Sequence, residues 1–317
     1  MKLILLAGAL VLGVFAQTAT GMAADWTPPG PIKMLIAFKA GGGADTQARL
    51  IAEELEARKG WKIVPEQLTG KGGAVLAAAM KDMPNDGSVI GIIVTETLGY
   101  NMIAGKRQAY KQSDFTPLTT TAGFQMGIVA LTSKGYKSWD DVVAAAKRGE
   151  QIRFGAMSPR LADIAYLVGK HHGIDFNIVM VKGGKGVMNG LNAGDLDIGW
   201  GAGIQTKAVL AGDMINLVSG IGEPLDASPD APTLQDLGVD LNAGGYFVFA
   251  APSGLPDDAR SEISEAIAGI VTDTNTKAGA LLAKAFGGAK VIKGSELDAL
   301  LATDEDAAVT LLEQANQ

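Results

Sequence analysis

Three successive glycines, Gly41–Gly43, stand directly before Ala44 and Asp45. The segment Lys39–Ala44 (KAGGGA) lies between an apolar run and a helix-like pattern, a setting suited to gripping an anion. The first N–H groups of a helix have no partner inside it, and its dipole places partial positive charge there. Glycine lets that main chain approach a ligand with no Cβ in the way. The spacing is not a nucleotide fingerprint. Thr46 stands where the third glycine of G-x-G-x-x-G belongs, and no Gly-Lys-Ser/Thr follows. A carboxylate is the better match. The same residues also suit a plain turn in which Asp45 caps its own helix, and its charge would compete for the same N–H groups.

Other polar residues carry a similar choice. Thr95 and Thr97 could donate hydroxyl hydrogen bonds to a carboxylate, or they could reflect β-propensity at a strand end. Glu96 between them would repel an acid unless it turns away or pairs with a lysine or a ligand amine. That hints at a zwitterionic or non-citrate ligand. Ser158 and Arg160 open a helical pattern, where Arg160 could hold a carboxylate with two N–H groups or lie solvated. Lys182 and Lys185 flank Gly183-Gly184 and could supply local positive charge, or be surface lysines. Trp200 and Tyr246 read equally as cleft walls or as core. His171 and His172 are the two histidines. Adjacent helical residues point about 100° apart, so they form no shared metal site and are expected at a solvated helix end. There is no G-x-S-x-G elbow and no cysteine. No metal, cofactor or catalytic residue is therefore expected; catalysis by carboxylates alone is the enzymatic alternative.

These residues need elements to position them, and the apolar pattern supplies a strand–helix alternation. Strands are expected at Ile32–Phe38, Trp61–Glu66, Val89–Val94, Gln125–Leu131, Ile152–Ala156, Phe176–Val181, Asp197–Gly199, Asn216–Ser219 and Tyr246–Ala250. Helices are expected at Thr46–Arg58, with Asp45 as its N-cap, and at Ala74–Lys81, Ser138–Lys147, Leu161–His172, Gly186–Ala193 and Thr206–Leu210. The C-terminal part reads as helical over Asp257–Thr272, Thr276–Phe286 and Ser295–Gln314. Such alternation indicates an α/β fold with wound, largely parallel sheets.

The chain has 317 residues, 47% hydrophobic, with 42 glycines and a formal charge of −7. That length supports more than one compact lobe. Lys2 followed by the apolar run Leu3–Ala16 and then small residues reads as an export signal cut after Ala23 or Ala24. Zero cysteines argue against a lipid-anchored form and against disulfides. An acidic exported chain is a poor partner for nucleic acid or anionic membranes.

Several stretches, in order, resemble one family. They are PIKMLIAFKAGGGADTQARLIAEEL (31–55), TGKGG (69–73), Asn85–Gly87 before VIGIIV, and FTPLTTT (115–121). VKGGKGVMNGLNAGDLDIGW (181–200), PDAPTLQDLG (229–238) and YFVFAAPSGLP (246–256) complete them. The chain is similar to the extracytoplasmic solute receptors of tripartite tricarboxylate transporters, the Bug-type receptors. The resemblance implies a two-lobe, type II-like periplasmic binding-protein fold with mixed or parallel sheets flanked by helices. Residues 25–122 plus 246–317 would form lobe one, and 123–245 lobe two, after a signal peptide over 1–24. It implies a ligand held in the interlobe cleft largely by backbone groups and small hydroxyls. Carried over, the contact positions are Phe38, Gly42, Gly43, Ala44 and Asp45; Thr95 and Thr97; Ala156, Ser158 and Arg160; Lys182 and Gly184; and Tyr246. This chain departs from the family pattern at Lys39, where proline is usual, and at Ala156–Arg160 (AMSPR), where a Gly/Ser-rich run and a following His are usual. The implied function is capture of a di- or tricarboxylate or a related acid and its delivery, by a monomeric receptor, to membrane permease subunits. A periplasmic sensor of such a ligand is the alternative.

Overall fold

A computed structural model describes residues 26–105 and 108–316. The expected signal peptide, 1–24, lies outside the described residues. The strands are Ile32–Ile36 (β1), Ile63–Gln67 (β2), Val89–Val94 (β3), Phe115–Gly123 (β4), Met126–Leu131 (β5), Arg153–Ala156 (β6), Asn177–Met180 (β7), Ile198–Ala202 (β8), Met214–Ser219 (β9) and Tyr246–Pro252 (β10). The α-helices are Gly43–Lys59 (α1), Ala74–Met80 (α2), Thr95–Leu98 (α3), Tyr100–Ile103 (α4), Trp139–Lys147 (α5), Pro159–His172 (α6), Gly183–Ala193 (α7), Thr206–Leu210 (α8), Asp257–Thr272 (α9), Lys277–Ala285 (α10) and Gly294–Ala315 (α11).

Two five-stranded sheets result, ordered β2-β1-β3-β10-β4 and β7-β6-β8-β5-β9. In the first, β1 is parallel to β2 and β3, and β10 is antiparallel to β3 and β4. In the second, β6 is parallel to β7 and β8, and β5 is antiparallel to β8 and β9. The sheets are therefore mixed. The chain passes from the first to the second in the short stretch between β4 and β5, and returns through the longer stretch between β9 and β10.

All six residues of β3 (VIGIIV) are buried, as befits an inner strand covered on both faces. Helix α1 lays Ala44, Ala48, Ile51, Ala52 and Leu55 inward and stops at left-handed Gly60, whose N–H closes on Glu56 O. It starts earlier than the sequence pattern suggests: Gly42 is the N-cap, and Asp45 is the third helical residue, not the cap. The stretch after β3 forms the short helices α3 and α4, so Thr95 and Thr97 are helical and not the continuation of a strand end. Strand β4 escapes the apolar pattern because Thr119–Thr121 carry buried hydroxyls bonded internally, such as Thr121 Oγ1 to Gln47 Oε1 at 2.6 Å.

Trp200 is fully buried and donates Nε1–H to Leu161 O at 2.8 Å, which makes it core and not a cleft wall. His172 also departs from the solvated expectation. It is half-buried, its ring centroid is 5.6 Å from that of Trp139, and burial pushes its pKa down. Among the described residues no helix is long and apolar enough to cross a membrane.

Candidate ligand-binding site

Loops from the two sheets meet around a cavity of about 70 Å³. The first sheet contributes Phe38 to Ala44 from the β1–α1 turn, with Val94 and Glu96 from the end of β3 and the start of α3. The second contributes Met157, Leu161, Lys182–Lys185, Ala202 and Ile204. Phe124, Met126, Phe247 and Phe286 complete the wall, with Phe247 stacked edge-on between Phe124 and Phe286 at 5.0 and 5.2 Å.

The amino ends of α1 and α7 both open on this cavity. Thr46 N–H is the first in α1 to bond a carbonyl of its own turn, Gly42 O at 2.9 Å. The preceding helical N–H groups are available to a ligand. Asp45 does not compete for them. Its Oδ2 accepts Gly41 N–H at 2.8 Å, and its Oδ1 accepts Arg49 Nε–H at 2.9 Å and Gln67 Nε2–H at 3.2 Å. The carboxylate is folded back behind the turn. Glycine is required here twice. Gly41 has φ +73°, and a Cβ on it would lie 2.8 Å from Lys185 Nζ. A Cβ on Gly43 would lie 2.7 Å from Phe286 Cζ.

Lys39, Lys182 and Lys185 border the cavity, and among the described residues none forms an ion pair. The opposing charge is Glu96. Burial pushes its carboxyl up, while Arg160, Ser158 and Asn101 pull it back. Ser158, on the second sheet's side, donates its hydroxyl to Glu96 Oε2 at 3.2 Å. A second link across the gap joins Tyr100 OH to the Asp163 carboxylate, and burial with that partner raises the phenol's pKa.

Of the residues singled out from sequence, Phe38, Gly42, Gly43, Ala44, Lys182 and Gly184 border the cavity, and Asp45 braces the turn from behind. Six others do not border it. Thr97 is buried, donates to Gly72 O at 2.8 Å and accepts Val94 N–H at 3.3 Å, so its hydroxyl is spent on the fold. Thr95 is buried and accepts Tyr246 N–H at 3.2 Å. Ala156 is buried at the end of β6, its carbonyl taken by Val181 N–H. Arg160 donates to the carbonyls of Asn242, Gly244 and Ala243 at 2.5, 2.9 and 3.4 Å, which pins it to the return stretch. Tyr246, with Thr95 and Arg160, borders a larger open groove that shares Glu96, Phe124 and Phe286 with the cavity. Ser158 caps α6 through Leu161 N–H and reaches Glu96. Sequence reading missed the apolar walls, Phe286 above all. The only local signal is Gly287-Gly288 behind it at the end of α10.

A family profile described as "Tripartite tricarboxylate transporter family receptor" matches residues 47–297. The "UPF0065 protein in the TAR-I ttuE-ttuC' intergenic region" of Agrobacterium vitis is 26% identical over 256 residues, covering 77% of this chain and 72% of the relative. Among solved structures, "R. palustris Rpa4515 with adipate" matches with a TM-score of 0.82 at 19% identity, covering 92% of this chain and 99% of the other. "MatC (Rpa3494) from Rhodopseudomonas palustris with bound malate" matches at 0.79 and 20% identity, covering 90% and 99%. The structural likenesses support the two-lobe binding-protein fold, and the profile match over most of the chain settles the lineage: this chain belongs to the tripartite tricarboxylate transporter receptor family.

Proposed function

We propose that this chain is a periplasmic receptor that captures a small organic carboxylate between two lobes and passes it, chemically unchanged, to a membrane permease. The lobes are 25–122 plus 246–317 and 123–245, hinged where the chain crosses between sheets. One observation carries the reading: two helix amino ends and three unpaired lysines border a single cavity with largely apolar walls. Such an arrangement stabilises a carboxylate and offers little to an uncharged solute. The adipate and malate in two relatives of the same fold support the same class of ligand.

The geometry suggests how capture works. A carboxylate placed on the amino end of α1 presents its other oxygen to α7 across the gap. Closure then excludes water, which strengthens each hydrogen bond made inside. The closed form is the one a permease would read. Gly43, Ala44, Gly183 and Gly184 would supply backbone donors, and Phe38, Phe247 and Phe286 would pack the ligand's carbon chain.

A thermal-shift screen against mono-, di- and tricarboxylates, aromatic acids and amino acids tests this reading. At least one acid should raise the melting temperature and be recovered unchanged after incubation. No response to any acid, or turnover of a bound one, would overturn it. Loss of uptake on gene deletion would support transport, and loss only of a transcriptional response would support sensing.

A further inference from the structure

The cavity wall carries charge of both signs. Lys39, Lys182, Lys185 and the amino ends of α1 and α7 border the cavity but not the larger groove. Glu96, Phe124 and Phe286 border both spaces, and Glu96 is the one carboxylate among the described residues on the cavity wall. Val94, Met157 and Leu161 add apolar wall.

Glu96 is only 8% exposed, yet it is poorly compensated. Among the described residues its one well-formed hydrogen bond is the 3.2 Å contact from Ser158 to Oε2. The nearest Arg160 nitrogen is 3.9 Å from that same oxygen, and Arg160's N–H groups point at three backbone carbonyls. Asn101 is beside it, but its Nδ2 donates to Gly72 O at 3.0 Å. Oε1 accepts no such bond, and it is not among the polar atoms sealed off without a partner. A carboxylate this deeply buried, with one long hydrogen bond and a guanidinium no nearer than 3.9 Å, gains from a further donor or cation at Oε1. Both spaces reach Glu96, and the cavity is the one that also carries the lysines and the two helix amino ends.

We propose that Glu96 is a specificity-determining residue that receives a protonated ligand amine, so that the preferred ligand is a small zwitterionic amino acid. Its carboxylate sits at the α1 and α7 ends, and its ammonium sits on Glu96. This rests on the carboxylate-receptor reading above and narrows it. A dicarboxylate of the same length would set like charge against Glu96, or would require a proton between the two groups.

Titration calorimetry on the mature chain tests the assignment with three sets of probes of four, five and six carbons. Each set holds the straight-chain monoacid, the α,ω-diacid, the α-amino acid and the ω-amino acid. In at least one set an amino acid should bind roughly tenfold or more tighter than both the monoacid and the diacid, as expected for a desolvated ion pair. Glu96→Gln should abolish that preference, bringing the amino acid to within about threefold of the monoacid measured on the same variant, and circular dichroism confirms the variant's fold. The wild-type ranking stands as a test even if the variant misfolds. A diacid outranking both amino acids in every set would overturn the proposal and leave the carboxylate reading intact, as would equal binding within each set. No binding by any probe would overturn the proposal; the receptor reading is then decided separately by the wider acid screen.

Discussion

Ser158 Oγ lies 3.2 Å from Glu96 Oε2 and so ties the start of α6, on the second sheet, to the first turn of α3, on the first. The same oxygen accepts Leu161 N–H at 3.3 Å as the cap of α6. One hydroxyl thus holds a helix end and bridges the two halves around the cavity.

Replacing Ser158 by Ala removes both bonds. The lost cap and the stranded Glu96 acceptor together should cost about 1–3 kcal/mol in urea unfolding. Ligand affinity should also fall by roughly fivefold, because the closed state loses a link. Ser158→Thr keeps the hydroxyl and should restore most of both. Affinity unchanged in Ser158→Ala would remove the bridge from the closure mechanism.

Gly43 opens α1 against Phe286, with its would-be Cβ 2.7 Å from the ring's Cζ. Gly43→Ala should therefore destabilise the closed protein by about 1–3 kcal/mol and weaken ligand binding, through overpacking alone. In a Phe286→Ala background the same substitution should cost much less. Equal costs in the two backgrounds, measured by thermal melts and calorimetry, would show that the ring is not the obstacle.

Asp197, just before β8, bonds Arg153 at the start of β6 and so ties two inner strands of the second sheet. It accepts Arg153 Nε–H and Nη2–H at 2.9 Å each, Arg153 N–H at 2.9 Å and Lys134 Nζ at 2.5 Å. Burial opposes its charge, but these donors win and hold the carboxyl well below its ordinary value of 3.8. A group depressed on folding contributes stability that is fully present above its unfolded pKa and is lost as pH falls through the folded one. Asp197→Asn should cost about 2 kcal/mol at neutral pH, discounted for the partly exposed Arg153 and Lys134. The gap between wild type and variant should stay flat from about pH 7 to 5 and narrow below about pH 4. Urea unfolding across that range checks the sign; a gap that widens on acidification would contradict it.

The elements were legible where apolar periodicity was strong. Val89–Val94, Thr206–Leu210 and Asp257–Thr272 match their strand and helices end to end. Thr119–Thr121 were not legible as strand, because the hydroxyls of Thr120 and Thr121 find their partners, Lys290 O and Gln47 Oε1, only through the tertiary fold. At the site, the glycine-rich turns were readable because backbone donors need glycine nearby. The hydroxyls were misread: Thr95 and Thr97 look free beside a strand end, but Tyr246 N–H and Gly72 O claim them from distant segments. Arg160 was misread for the same reason, its partners being carbonyls more than eighty residues away in sequence. A sequence shows which groups can bond and not which are already taken.

Lys182, the N-cap of α7, and Lys185, in its first turn, are exposed and border the cavity, and among the described residues neither is paired with a carboxylate. If they act on the ligand, they act as nearby solvated charges. Their effect should then be modest and sensitive to salt, since charges in water are screened over about 8–10 Å at moderate ionic strength. Lys185→Met should weaken carboxylate binding by roughly threefold at low salt, and Lys182→Met by a similar factor. Both losses should shrink toward zero near about 1 M salt, where the screening length falls to about 3 Å. The double variant should show a flatter dependence of affinity on salt than wild type, with little change in the melting temperature of the empty protein. Calorimetry across a salt series reads all of this. Wild-type affinity that does not move with salt would mean that the backbone donors of α1 and α7 hold the anion unaided, with the lysines merely solvated beside it.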